Sequence, residues 1–329
     1  MKVAILGAGR IAEVHMRGVL QAGGEIAGVF DIRREASLAL ASRFSTRPIS
    51  SAEEAFSGDD IDVVAIATPT DTHADYIVAA ANAGKAIFCE KPIDLSVARA
   101  ERCRQQIDGL ATFIQIGFNR RFDPTFSKLA SAVREGRIGS LENLTIISRD
   151  PAPASIEYLR VSGGIFKDMA IHDFDMARFI LPEEPVEIFA SGSVLVQEEI
   201  GGIGDVDTAS AFLRTESGIQ CQIINSRRCA YGYDQRIEAF GSLGAVHAEN
   251  PRIDEVRMFT SDITDSRSRL PDFFLERYTE SYDREWKSLF ECLTSGRQPA
   301  VTFEDGLKAL KIAEAANESL KAGTRVRIE

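Results

Sequence analysis

Apolar and polar residues follow two different periods along the first 120 residues of the chain. Continuous apolar runs predict buried strands, whereas apolar residues that recur every three or four positions predict helices. The predicted strands are 2–6, 25–30, 62–67, 86–89 and 113–117, and the predicted helices are 11–22, 33–43, 72–83 and 96–107. Because buried strands joined by helices form a parallel sheet covered on both faces, this part is predicted to be a doubly wound α/β domain.

The second half of the chain has a different pattern, in which strands follow one another with few helices between them. The predicted strands are 144–148, 187–196, 208–213, 220–226, 235–240 and 245–249, and the predicted helices are 165–180, 276–293 and 303–321. A succession of strands favours a large, mainly antiparallel open sheet in an α+β domain. We therefore predict two domains, 1–120 and 121–329, and expect the last helix to pack back on the first domain.

Composition and charge exclude several classes of protein. The 329 residues are 44% hydrophobic and 26% charged, which is ordinary for a globular chain. With 38 Lys and Arg against 49 Asp and Glu, the net charge is -11 and no basic cluster is present, so no nucleic-acid partner is expected. The sequence has no apolar run of about 18 residues and no signal peptide, so we expect no membrane span and a cytoplasmic location. The five cysteines are widely spaced, so neither a disulfide framework nor a zinc site is predicted.

Residues 7–12, with the sequence GAGRIA, connect the first predicted strand to the first predicted helix. Gly7 permits a tight turn, Gly9 lets a pyrophosphate approach the backbone, and the small Ala12 lets the helix pack on the strand. The helix N-terminus would attract the phosphates. Asp31 ends the second strand, where an acidic residue binds ribose hydroxyls. Together these features predict a Rossmann dinucleotide-binding domain, with a glycine turn that binds no ligand as the alternative.

Asp31 also bears on the choice of dinucleotide. A carboxylate at this place stabilises the ribose hydroxyls and repels a 2′-phosphate, which favours NAD. Arg33 and Arg34 come after Ile32, just past this strand, and an arginine there could accept the 2′-phosphate of NADP, which stays an alternative. Both arginines are also consistent with a solvent-exposed first turn of the next helix.

Two further loops follow strands at the edge of the sheet where ligands bind in open α/β folds. Residues 68–73, with the sequence TPTDTH, could also be a proline turn with a helix cap. In Glu90-Lys91-Pro92 we expect Lys91 to point toward the cofactor, with a Glu90–Lys91 surface pair as the alternative. The predicted cofactor-binding residues are Gly7, Gly9, Arg10, Ile11, Asp31, Arg33, Thr68, Pro69, His73, Glu90 and Lys91.

Three titratable residues in the predicted helix 165–180 recur at helical spacing. Asp168, His172 and Asp175 lie at i, i+4 and i+7, which places them on one face of a continuous helix. A polar stripe at this spacing favours a face that lines a cavity, and a histidine beside a carboxylate is a natural acid–base pair near neutral pH. A surface ion pair and half of a metal site are the alternatives, and no third metal ligand is evident, so no metal is predicted.

The motifs GAGRIA, EKP, GFNRRFDP and GGIFKDMAIHDFDMAR occur in this order, and with them the sequence resembles the glucose–fructose oxidoreductase/inositol dehydrogenase/MocA family. Within that family it is most similar to the inositol 2-dehydrogenases. The resemblance implies that Lys91 contacts the substrate hydroxyl and that Asp168 and His172 form the acid–base pair. It also implies a homotetramer built through the open sheet, in which strands 208–213 and 220–226 are expected to take part.

The reaction implied by the resemblance is the NAD-dependent oxidation of a secondary hydroxyl of a cyclic polyol, with conversion of myo-inositol to 2-keto-myo-inositol favoured. His172 would take the hydroxyl proton, Asp168 would hold the imidazole, and Lys91 would fix the oxygen. The residues expected to bind the polyol are Asn119, Arg121, Asp150, Asp175, Tyr233 and Tyr282. The two tyrosines fit an aromatic core or a subunit interface equally well. The alternative functions are a dehydrogenase of scyllo-inositol or another sugar, an enzyme with NAD as an internal redox relay, and a non-catalytic dinucleotide sensor.

Overall fold

The computed structural model describes residues 1–329, which divide into two units. The first unit contains Met1–Asp123 and Thr279–Leu310, and the second contains Pro124–Tyr278 and Lys311–Glu329. The boundary expected from the sequence, between residues 120 and 121, assigns residues 121–329 to the second domain, with only the last helix expected to pack back on the first. The structure instead groups a C-terminal segment of about 30 residues with the first unit.

The first unit is built on a five-stranded sheet with the order β2-β1-β3-β4-β5 and parallel pairing throughout. Its elements are β1 (Lys2–Leu6), α1 (Arg10–Gln21), β2 (Glu25–Phe30), α2 (Arg34–Arg43), α3 (Ala52–Ser57), β3 (Val63–Ile66), α4 (His73–Asn82), β4 (Ala86–Glu90), α5 (Val97–Ile107) and β5 (Ile114–Gly117). Two short 3-10 turns, Thr70–Thr72 and Asn119–Phe122, follow β3 and β5. The strand order reverses at β1, so the predicted doubly wound α/β fold is confirmed.

The second unit contains a seven-stranded sheet with the order β11-β10-β6-β9-β8-β7-β14. Its elements are α6 (Pro124–Arg134), β6 (Leu141–Arg149), α7 (Ile156–Leu159), α8 (Gly164–Asp168), α9 (Ile171–Ile180), β7 (Pro185–Ser193), α10 (Glu198–Gly202), β8 (Thr208–Thr215), β9 (Gln220–Ser226), β10 (Asp234–Gly241), β11 (Gly244–Ala248), β12 (Arg257–Met258), β13 (Ser266–Arg267), α11 (Phe274–Arg277) and β14 (Val326–Arg327). All neighbouring pairs in this sheet are antiparallel except β6 and β9, which are parallel. The predicted mainly antiparallel sheet is therefore confirmed.

Two long helices complete the chain, α12 (Thr279–Ser295) in the first unit and α13 (Phe303–Ala322), which begins in the first unit and ends in the second. The helix α12 packs on α1 and buries Trp286, Leu289 and Phe290 in the same core as Val3 and Ile5 of β1. This apolar face explains why a segment so late in the sequence belongs to the first unit. No helix of the structure combines the length and the hydropathy that crossing a membrane would require.

Two helices predicted as continuous are broken in the structure. The prediction for 165–180 is wrong because the N–H groups of Met169 and Ala170 both donate to the carbonyl of Ile165, at 3.0 and 2.9 Å, which ends α8 and lets α9 begin at Ile171. The prediction for 276–293 is also wrong, since α11 ends at Arg277 and α12 begins at Thr279. In each case the apolar pattern runs on across a break in the backbone hydrogen bonds.

Candidate functional site

The loop between β1 and α1 contains both predicted glycines. Gly7 has a φ of +101°, and a Cβ at this position would lie 2.4 Å from the carbonyl oxygen of Ala67, so only glycine fits. Gly9 is exposed, and a Cβ there would meet no heavy atom within 4 Å. Gly9 is the N-cap residue of α1 and offers no side chain to cap the helix. Arg10 and Ile11 begin the first turn. The loop thus leaves room for an anionic group at the positive end of a helix.

Asp31 is fixed beside this loop by two backbone donors. The N–H of Ala8 donates to Oδ2 and the N–H of Arg33 to Oδ1, each over 2.8 Å, and the Asp31 side chain is 10% exposed. A carboxylate can accept about four hydrogen bonds, so the Asp31 carboxylate can still receive a ribose hydroxyl, at Oδ2. A cleft of about 120 Å³ beside Asp31 is also lined by Arg34 and Ser37. Arg33 is exposed and lies near the carboxylate, with Nε 3.4 Å from Oδ1.

His73 joins the two loops that follow β3 and β4. The ring is buried, with Nδ1 at 2.8 Å from the carbonyl oxygen of Pro92 and Nε2 at 2.9 Å from that of Thr68. Carbonyl oxygens only accept, so a ring nitrogen that carries a proton donates it to one of these two loops. His73 thus ties the two loops together, while Pro69 is exposed at the surface of the first.

Glu90 ends β4 and lies directly before Lys91, which is half-buried and precedes a cis proline bond. Its Oε1 lies 2.8 Å from Nε2 of His15, and its Oε2 accepts the N–H of Lys91 over 3.1 Å. Burial raises the pKa of Glu90, but the hydrogen bond from His15 and the positive charge of Lys91 outweigh burial and hold it below its ordinary value. Glu90 is therefore a largely buried carboxylate and not part of an exposed surface pair.

A second carboxyl group, Glu285 of α12, lies in the same buried region. Its side chain is 0% exposed, and neither carboxyl oxygen has a hydrogen-bond partner. Burial and the negative charge of Glu90 raise the pKa of Glu285 well above its ordinary value. Burial and charge therefore set the two carboxyl groups apart, with the pKa of Glu90 below and that of Glu285 above the ordinary glutamate value.

In the second unit, two donors hold the carboxylate of Asp168. The hydroxyl of Tyr158 donates to Oδ1 over 2.8 Å, and Nη1 of Arg227 donates to Oδ2 over 3.2 Å. Arg227 also lies 3.5 Å from Asp205, whose other oxygen accepts the N–H of Ile165 over 2.9 Å. Because the Arg227 side chain is only 2% exposed, Asp168 forms part of a largely buried ion-pair network.

His172 lies in the first turn of α9 and is half-buried. Its neighbour Asp173 is fully buried and accepts Ser148 Oγ over 2.6 Å and Asn225 Nδ2 over 2.7 Å. These bonds attach the start of α9 to the strands β6 and β9 and so set the position of His172. No group of three or more His, Cys, Asp and Glu side chains in the chain is arranged to hold a metal ion.

Three predicted polyol-binding residues lie in the first unit. Asn119 is 3% exposed and its amide nitrogen has no hydrogen-bond partner. Arg121 forms an ion pair with Asp305, with Nη2 at 3.0 Å from Oδ1, which ties the Asn119–Phe122 turn to α13. Tyr282 is 6% exposed, and its ring meets that of His15 edge-on at a centroid distance of 5.7 Å.

The other three lie in the second unit. Asp150 is half-buried at the end of β6, where its N–H donates to the carbonyl of Ser226. Tyr233 is 6% exposed and packs edge-on against Tyr278 at a centroid distance of 6.0 Å. Asp175 is fully buried in α9, with Oδ1 at 4.0 Å from Nη1 of Arg178. The helix break therefore separates Asp168, in α8, from His172 and Asp175, in α9.

Comparison with protein families matches both parts of the chain. Residues 1–118 match the family model described as oxidoreductase family, NAD-binding Rossmann fold, and residues 126–247 match the GFO/IDH/MocA C-terminal domain. The chain belongs to the GFO/IDH/MocA family. The family resemblance recognised in the sequence is thus confirmed, and so is the assignment of the first domain to NAD binding.

Several inositol dehydrogenases match this chain over its full length. Inositol 2-dehydrogenase of Rhizobium meliloti is 46% identical over 331 residues, which cover 100% of this chain and 99% of that protein. The crystal structure of a myo-inositol dehydrogenase from Corynebacterium glutamicum superposes with a TM-score of 0.95 at 41% identity and covers 100% of this chain and 99% of the other. The crystal structure of a scyllo-inositol dehydrogenase from Lactobacillus casei, with bound NAD(H) and scyllo-inositol, superposes with a TM-score of 0.91 at 26% identity. It covers 100% of this chain and 99% of the other.

The family motifs in the sequence did not reveal several residues around the candidate site. His15 lies at helical spacing with Ala12, Met16 and Val19 on the buried stripe of α1, so its polar side chain on that stripe was a usable signal. Glu285 is likewise a polar residue among the buried residues of α12, next to Trp286 and four positions before Leu289. Tyr158 and Arg227 have no such local signal, because each meets Asp168 only in the folded unit.

Proposed function

We propose that the chain catalyses the NAD-dependent oxidation of a secondary hydroxyl of a cyclic polyol, with myo-inositol, converted to 2-keto-myo-inositol, as the favoured substrate. The observation that carries this proposal is the sequence identity of 46% to the Rhizobium inositol 2-dehydrogenase, which extends over the full length of both chains. The match to the Lactobacillus scyllo-inositol enzyme, at 26% identity, is weaker and makes scyllo-inositol the second candidate.

The residues of the first unit fit a dinucleotide. The space above Gly9, the uncapped start of α1 at Arg10 and Ile11, and the anchored carboxylate of Asp31 suit a pyrophosphate and a ribose. We propose that Thr68, Pro69, Glu90 and Lys91 contribute from the adjacent loops and that the buried His73 holds those loops in place. When bound, the nicotinamide supplies the two-electron oxidation that no side chain of the protein can perform.

Three side chains would manage the proton of the reacting hydroxyl. His172 would accept that proton as a general base, a step that suits an imidazole near neutral pH. Asp168, held by Tyr158 and Arg227, would keep a negative charge near the base and stabilise its protonated form. Lys91 would donate a hydrogen bond from its ammonium group to the substrate oxygen.

A polyol ring presents several hydroxyl groups, so its recognition requires several donors and acceptors. The residues that we propose for this role are Asn119, Arg121, Asp150, Asp175, Tyr233 and Tyr282. Asn119 is the strongest of them, because its buried amide nitrogen has no protein partner. Arg121 already pairs with Asp305, so it would act mainly by fixing the turn that carries Asn119.

We also propose that the chain forms a homotetramer through the open face of the second sheet. On β8 and β9 every second residue faces outward, including Phe212 and Ile224, which are half-buried, and Phe189 of β7 is 44% exposed beside Phe212. A second copy would cover this partly apolar face. Light scattering should give the mass of four chains for the wild type and a smaller mass for Phe212→Glu. The cytoplasmic location stays a prediction, which cell fractionation would check.

Initial rates of NADH formation test the proposed activity. The substrates are myo-inositol, scyllo-inositol, D-chiro-inositol, glucose and xylose, each with NAD and then with NADP, at alkaline pH. We expect the highest kcat/KM with myo-inositol and NAD. A higher kcat/KM with scyllo-inositol or with a sugar would make that compound the proposed substrate in place of myo-inositol. Absence of turnover with all of them, while NADH still binds, would favour the internal-relay and sensor alternatives.

A further inference from the structure

Trp286, His15 and Glu90 form a continuous chain of hydrogen bonds inside the first unit. The indole N–H of Trp286 donates to Nδ1 of His15 over 3.1 Å, and Nε2 of His15 lies 2.8 Å from Oε1 of Glu90. An indole nitrogen can only donate, so Nδ1 must be the acceptor, and the proton of the neutral ring lies on Nε2. His15 therefore donates to Glu90, and the tautomer is fixed by a residue on a different helix.

Glu90 is the negative charge in its buried surroundings. Among the titratable groups that face it, His15 comes from α1, His73 from α4 and Glu285 from α12, while Cys89 and Lys91 are its own neighbours. The pKa of Glu285 is raised well above its ordinary value by burial and by the charge of Glu90, whereas the pKa of Glu90 is lowered. One carboxylate oxygen of Glu90 accepts from His15 and the other accepts from the N–H of Lys91, so both oxygens are held by hydrogen bonds.

We propose that His15 is a positioning residue for Lys91: by holding the Glu90 carboxylate, it fixes the backbone of Lys91 at the end of β4. This inference rests on the proposed function, in which Lys91 binds the substrate oxygen. His15 is 0% exposed, so it acts through Glu90. The role goes beyond packing, because it needs a donor at the position of Nε2 and not only a side chain of suitable volume.

Two amide substitutions of His15 separate its two hydrogen bonds. Glutamine places an amide nitrogen near the position of Nε2 and can still donate to Glu90, whereas asparagine places an oxygen near Nδ1 and can only accept from Trp286. We expect His15→Gln to keep kcat within about threefold of the wild type and His15→Asn to lose about tenfold or more in kcat. Equal kcat values in the two variants, or a loss expressed only in KM, would overturn the proposal.

A second pair of variants decides the matter if the His15 variants do not fold. Trp286→Phe removes the indole donor that fixes the tautomer, and Phe290→Leu removes a ring from the same core, whose centroid lies 5.8 Å from that of Trp286. We expect Trp286→Phe to lower kcat about threefold or more while Phe290→Leu stays within about twofold of the wild type. Equal effects of the two substitutions would assign Trp286, and with it His15, to packing alone.

Two readouts do not require turnover, so failure of the proposed function can be told from failure of this inference. Trp286 is the single tryptophan of the chain, and its emission should move to shorter wavelength in His15→Gln, which lacks the acceptor, but not in His15→Asn. Acetylation of Lys91, followed by mass spectrometry with Lys85 as the internal reference, should be about threefold faster in His15→Asn only. Equal acetylation in the two variants would contradict the positioning role even if the wild type oxidises none of the polyols.

Discussion

Nη1 of Arg227 lies 3.2 Å from Oδ2 of Asp168, although the two residues are 59 positions apart in the sequence. The guanidinium is nearly fully buried and also approaches Asp205, whose carboxylate accepts the N–H of Ile165 at the start of α8. One arginine therefore fixes both the beginning and the end of this short helix. The charge and the position of Asp168 depend on a residue that follows strand β9 and belongs to none of the family motifs.

Replacing Arg227 with methionine should impair both stability and turnover. The substitution leaves the carboxylates of Asp168 and Asp205 without their buried cation, which costs about 3 kcal/mol or more of unfolding free energy. We expect kcat/KM for the polyol to fall about tenfold or more while the Kd for NADH is unchanged. Arg228→Met is the matched control, because Arg228 is the next residue and is exposed. Similar losses in the two variants would remove Arg227 from this role.

His172→Asn should abolish most of the turnover without loss of cofactor binding. A general base contributes about a hundredfold or more to the rate, so kcat should fall by at least that factor. Fluorescence titration with NADH should give an unchanged Kd. His247→Asn serves as the control, because His247 is 51% exposed beside Glu238 on the same unit. Near-normal turnover of His172→Asn would show that another group takes the proton.

Asp31→Ser should narrow the preference for NAD over NADP by about tenfold or more, because it removes the charge that repels a 2′-phosphate. The comparison is the ratio of the two kcat/KM values. The substitution also removes the acceptor for the N–H of Ala8, so a control is needed for the loss of that hydrogen bond. Asp62→Ser provides it, since Asp62 accepts the N–H of Lys2 over 2.8 Å at the start of the β3 region. An unchanged ratio in Asp31→Ser would assign cofactor choice to other residues.

Glu285→Gln should stabilise the protein at alkaline pH. The pKa of Glu285 is raised in the folded state by burial and by the charge of Glu90, so the folded chain binds more protons than the unfolded chain in the window above the ordinary glutamate pKa. Stability therefore falls as the pH rises through that window, by about 1.4 kcal/mol for each pH unit. Glutamine has no proton to lose, so the Tm advantage of the variant should grow with pH and vanish near about pH 4.

The matched control for this prediction is Glu291→Gln, which lies on the same helix and is exposed. Its Tm should follow that of the wild type at every pH. A Tm difference between Glu285→Gln and the wild type that does not change with pH would mean that Glu285 is already ionised in the folded chain.

Much of the fold follows from the sequence because local patterns determine it. Continuous apolar runs predicted all five strands of the first sheet, and the residues around Gly7 and Asp31 predicted the edge of the sheet at which we expect the dinucleotide. The break between α8 and α9 could not be predicted, because apolar residues recur at helical spacing on both sides of it while the backbone hydrogen bonds change at Ile165. The parallel pairing of β6 with β9 was not predicted either, since strand patterns do not encode which strands become neighbours.

The sequence by itself determined the two types of sheet, the glycine loop, the family and the identity of Lys91, Asp168 and His172 as candidates. Only the tertiary structure showed what holds these groups: Trp286 meets His15 across 271 positions of the chain, and Arg227 meets Asp168. The physical reason is that periodicity reveals which face of an element is buried, whereas hydrogen bonds across that face depend on which distant element covers it.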